Sequence, residues 1–123
     1  MQNIVRVNAL EIKSFDDAKF VPKPVYQSDG MKVVLAYFKA GQFIPVHAPG
    51  VELVLCILEG DAEVVAGEEQ ISASKGDIII VPKGAKRGVK ALTELTVLHV
   101  VQPPPSEADH KEVHRQLSEG KFK

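Results

Sequence analysis

Few residues of this chain can do chemistry: the four histidines His47, His99, His110 and His114, the single cysteine Cys56, and the charged residues Glu52 and Arg87. Imidazole and carboxylate are donors from which divalent metal sites are built, so His47, Glu52 and His99 could share a metal if the fold turned them toward one point. Arg87 suits the opposite task. It is always charged, it only donates, and its planar fork matches a carboxylate or phosphate. Cys56 sits in an apolar run with nothing cationic beside it in sequence, which fits a small buried apolar residue better than a nucleophile. His110 and His114 fall one turn apart on a helical pattern and could hold a metal between them. No further donor is placed near them, so two solvated histidines on a polar helix is the simpler reading.

Strands must position these residues. Residues 41–60 and 76–88 each put a glycine before an apolar run that ends in polar or turn residues, the punctuation of a compact β-barrel. Residues 4–12 alternate loosely and read as a first strand, an edge strand able to pair with a partner chain. Residues 14–30 contain Pro22 and Pro24, which cannot donate to a ladder, and read as a loop draped on the barrel. Residues 31–39 resume a strand rich in β-formers. Residues 43–46 form a short one that Pro45 confines to an edge or a bulge. The unbroken apolar run 53–58 predicts a strand buried on both faces. A hairpin across 62–73 and core strands at 78–81 and 95–101 follow, until Pro103, Pro104 and Pro105 end regular pairing. About eight to ten short strands without an intervening helix predict an all-β double-sheet jelly roll. The one helical segment starts at 106, where Ser106 and Asp109 make a capping-box-like pattern and Val113 with Leu117 form a small apolar seam. It is expected to be a polar tail.

Both glycine-led stretches resemble the cupin family. The first family motif is Gly, five residues, His-x-His, three or four residues, Glu, six residues, Gly; the second is Gly, five residues, Pro-x-Gly, two residues, His. Gly41, His47 and Gly60, then Gly76, Pro82 and Gly84, fit these frames without insertion or deletion. The resemblance implies a double-stranded β-helix over residues 31–105, with 1–30 part of the same domain and 106–123 a helical tail. In the family, two histidines, a Glu or Gln and a final histidine converge on one metal. Here those four positions hold His47, Pro49, Leu53 and Arg87. Glu52 stands one residue early, and because strand side chains alternate between faces it is expected at the rim or outside. One donor of four remains, so no metal and no cofactor is expected at the family position.

Arg87 in that frame is a fixed positive charge aimed into the barrel, held for an anionic ligand or satisfied internally by Glu52 or backbone carbonyls. Lys83 and Lys86 add basic charge to the same loop, as solvated side chains or as a mouth that steers anions. His99 is either a core histidine bonded to a backbone carbonyl or a cavity residue, because its apolar flanks do not reveal its face. The candidate ligand-binding set is therefore His47, Arg87, Glu52 and His99. The first functional expectation is metal-independent binding of a small molecule, an anion in the simplest case, as sensor or non-redox enzyme. The second is a metal-dependent dioxygenase or isomerase with a non-standard ligand set, and the third is a structural module whose barrel is filled. Charges are nearly balanced, 15 basic against 16 acidic, so nothing recruits nucleic acid or an anionic membrane. With one cysteine and no apolar leader or span, the expected location is cytoplasmic. The resemblance implies a homodimer.

Overall fold

The computed structural model describes residues 4–104 and 107–123, with the backbone alone at 107–110. Within them, nine strands and one helix follow in order: β1 (Val21–Gln27), β2 (Lys32–Phe38), β3 (Phe43–His47), β4 (Glu52–Glu59), β5 (Asp61–Ala66), β6 (Glu69–Ser74), β7 (Ile78–Val81), β8 (Arg87–Ala91), β9 (Leu95–Gln102) and α1 (Glu107–Ser118). Two antiparallel sheets face each other, one ordered β1-β2-β9-β4-β7 and the other β3-β8-β5-β6. The two glycine-led stretches pair strand by strand, β4 with β7 in one sheet and β3 with β8 in the other. The inner faces meet in one core that includes Phe38, Leu55, Ile57, Val64, Val81, Val89 and Val97.

Glycine makes one of the turns possible. Gly60 has φ of 89°, and a Cβ there would lie 2.0 Å from the Glu94 carbonyl oxygen, so the β4–β5 corner admits no side chain.

Four expectations need correction. Residues 4–12 form no strand; the chain stays unpaired until β1, which occupies the stretch read as a loop. The prolines are tolerated because β1 is the sheet edge and Pro22 and Pro24 lie two residues apart, so both ring nitrogens face away from β2. β8 is a central strand that the pattern hid, because Arg87, Gly88 and Lys90 interrupt its apolar character. The run at β4 is buried on one face only. Leu53, Leu55 and Ile57 point inward, while Glu52 and Val54 are exposed and Cys56 is half-buried on the outer face. The outward position of Cys56 also replaces the expectation of a fully buried thiol.

Residues 9–18 run against the outer face of the five-stranded sheet. The Tyr37 hydroxyl donates to the Ala9 carbonyl at 2.6 Å, and Phe15 meets the Tyr37 ring edge-on. Lys23 Nζ reaches the Ile12 carbonyl at 2.7 Å, and Lys13 pairs with Glu59.

The tail is not a free appendage. Its capping residue Ser106 lies outside the described residues, but the helix packs on β3. Gln116, buried, donates from Nε2 to the Val46 carbonyl at 2.9 Å, and the Val46 amide donates to the Phe122 carbonyl at 2.6 Å. Phe122 meets Phe43 edge-on, and Gly88 leaves room for this latch, since a Cβ there would lie 2.6 Å from Val46 Cγ2 and 3.1 Å from the Phe122 ring.

Candidate functional site

Between the sheets lies a cavity of about 310 Å3. Its walls are mostly aliphatic, with Val34, Leu53 and Leu55 from one sheet and Ile44, Val64 and Val89 from the other, and α1 adds Val113 and Leu117 at one side. His47, Arg87 and His99 line the same cavity. The polar groups thus come from both sheets.

His47 ends β3 just after a register irregularity, directly opposite Arg87 on β8. Its Nδ1 lies 2.8 Å from the Pro45 carbonyl oxygen, which makes Nδ1 the nitrogen that carries the hydrogen in a neutral ring. Arg87 is buried, 4% exposed, and two carbonyls of its own turn hold it in place. Nη2 donates to Pro82 at 2.9 Å and to Ala85 at 3.2 Å, and Nε to Ala85 at 3.3 Å. These bonds fix the guanidinium against the turn that Pro82 and Gly84 create. Of the internal partners anticipated for Arg87, backbone carbonyls are the ones seen here.

His99 sits on β9 between Val34 of β2 and Leu55 of β4, all three turned inward. Its Nδ1 is buried and has no hydrogen-bond partner among the described residues. Burial pushes its pKa down to about 4, with the nearby His47 adding to the fall and the Val97 backbone opposing it in part. The ring is therefore neutral at pH 7.

Glu52 does not join them. It is exposed on the outer face of β4, opposite Gln102, while Leu53 beside it faces the cavity. The reason is strand alternation, and Glu52 is no part of the site. Lys83 and Lys86 are exposed loop residues outside the cavity lining, and Lys86 lies 4.0 Å from Glu68. Lys32, His114, Val113 and Leu117 line the cavity without having been singled out for it. The apolar seam of Val113 and Leu117 was the available signal, because an apolar pair on a polar helix needs a surface to cover. His114 is exposed at the cavity margin, and the His110 side chain is outside the described residues.

The donor set does not fit the metal that the frame implies. Pro49 and Leu53 line the cavity but offer no donor, Arg87 is a cation, and His47 with His99 make two ligands at most. No group of three or more His, Cys, Asp or Glu that could hold a metal exists among the described residues.

Among solved structures, an RmlC-like cupin protein from Desulfovibrio desulfuricans matches with a TM-score of 0.76 and 38% sequence identity, covering 83% of this chain and 99% of that one. The chain belongs to the cupin superfamily. This cupin is also similar to a protein from Thermus thermophilus, with 29% identity, a TM-score of 0.75, and coverage of 82% and 98%. A double-stranded β-helix protein from Klebsiella pneumoniae, 22% identical with a TM-score of 0.73 over 80% and 84% of the two chains, shares the fold. No protein-family model and no curated protein matches the chain.

Proposed function

We propose that this cupin binds, without a metal, a small molecule with an apolar body and an anionic head. The observation that carries the reading is the aliphatic cavity into which one buried permanent cation, Arg87, and two imidazoles project. Aliphatic walls favour an apolar body by removing it from water. A guanidinium held by carbonyls on one side is pre-oriented toward a carboxylate or phosphate, and His99, neutral at pH 7, adds a hydrogen-bonding group without charge repulsion. His47 supplies a second polar contact on the Arg87 side. The described lining residues include no carboxylate base, so the reading is one of binding rather than of a named reaction. A cytoplasmic location belongs to the same reading. In support, no helix among the described residues is long and apolar enough to cross a membrane.

The test is thermal denaturation of the purified protein with benzoate, phenylacetate, octanoate and, as apolar-free controls, acetate and phosphate. Benzoate, phenylacetate or octanoate should raise Tm more than the controls do. Arg87→Met should abolish the rise, and Val34→Phe, which narrows the cavity from the sheet that faces Arg87, should abolish it too. A rise unchanged in both variants, or none with any acid, defeats the reading.

A further inference from the structure

Arg87 is not the only cation on the cavity wall. Lys32 opens β2, is half-buried, and lines the same space from the opposite sheet. Its Nζ forms no ion pair and no hydrogen bond among the described residues. The described lining residues include no aspartate or glutamate, so the wall around Lys32 supplies it with no counter-charge.

Strand register sets Lys32 beside the imidazole of His99. Lys32 pairs with Val101 and Val34 with His99, and all four line the cavity, so Lys32 and His99 are diagonal neighbours on one inner face. Such neighbours lie about 7–8 Å apart at the backbone, within reach of a long side chain. On the facing sheet, Arg87 and His47 stand directly opposite each other. Each sheet therefore offers one cation with one imidazole, and the rest of the described wall is mostly aliphatic. Stacked sheets lie about 10 Å apart, a gap that an extended short carbon chain can bridge.

We infer that the cavity takes a dianion, two carboxylates joined by an apolar body, with one head on Arg87 and His47 and the other on Lys32 beside His99. The inference rests on the anion-binding reading above and narrows it to a ligand class. A monoanion would press an apolar body against the Lys32 ammonium, which then loses water without gaining a partner. A second carboxylate gives that ammonium a charge-assisted hydrogen bond instead.

Calorimetric titration of the full chain tests this, comparing adipate with hexanoate and suberate with octanoate at neutral pH and fixed ionic strength. Without a second anchor the monoacid of each pair should win, because its methyl end suits an aliphatic wall better than a carboxylate does. The parent should instead bind at least one diacid about tenfold more tightly than its monoacid counterpart, the worth of one hydrogen bond between charged groups. Lys32→Met should reverse that order while the monoacids still bind. Lys86→Met, at an exposed lysine outside the lining, should leave the order as in the parent. Diacids no tighter than monoacids in the parent overturn the inference and leave the single-head reading standing, whereas no binding by any acid defeats both. A diacid preference that survives Lys32→Met overturns it too, the lysine stem then only covering apolar wall, as does a preference lost equally in Lys86→Met. Should Lys32→Met misfold, Lys32→Gln removes the charge but keeps a polar end, and carries the same expectation.

Discussion

At the scale of single residues, the cavity rests on two buried groups with different duties. Arg87 is structural as well as exposed to the cavity, since three of its hydrogen bonds hold the turn at Pro82 and Ala85. Arg87→Met should therefore cost about 1–3 kcal/mol in urea denaturation without any ligand, because the part-buried Pro82 and Ala85 hydrogen bonds lose their donor. An unchanged midpoint and slope would mean that water replaces the guanidinium fully. His99 sets a pH dependence. Its pKa is about 4 folded against 6.5 unfolded, so the unfolded chain binds more protons in that window. Its contribution to stability is fully present above pH 6.5 and is lost as pH falls toward 4, to a total of about 3 kcal/mol. His99→Phe should flatten the stability profile between those pH values, measured by denaturant midpoints at each pH. Counting from Gly41, Gly60 and Gly76 was enough to put His47, Arg87 and Leu53 on the cavity and Glu52 outside it. His99 was not decided by counting, because β9 is apolar on both faces and its parity shows only in the register with Val34 and Leu55.

Among the elements, α1 carries the largest departure from expectation. A polar composition marked it as a tail, yet Gln116 and Phe122 dock it on β3 through partners 70 or more residues away, contacts to which local pattern is blind. Gly88→Ala places a methyl group against Val46 and Phe122, so it should loosen α1 before it harms the sheets. Hydrogen exchange should show amides of 111–118 losing protection while those of β4 and β9 keep theirs; equal loss everywhere would contradict a separable latch. By contrast, Gly60→Ala strikes both a left-handed backbone and a carbonyl 2.0 Å away, and should lower stability by about 3 kcal/mol or more in thermal or urea unfolding. β1 and β8 went unread for related reasons. Proline in one and charge in the other contradict strand propensity, and only position, at an edge for β1 and between two sheet neighbours for β8, overrides it.

For the whole molecule, the two-sheet architecture was legible because glycine and proline spacing survives without the chemistry once written on it. The outer surface was not, since β4 and β7 read as core when one of their faces is bare. Ile78→Lys/Ile80→Lys should therefore shift stability by no more than about 0.5 kcal/mol in urea denaturation, since both side chains already meet water. Cys56 makes the same surface observable by another route. It is the only thiol in the chain, it lies on the outer face between Leu98 and Ile78, and it does not line the cavity. A chromogenic disulfide reagent therefore titrates one face of one sheet in the unaltered protein, and its reaction should stay indifferent to any acid bound inside the barrel.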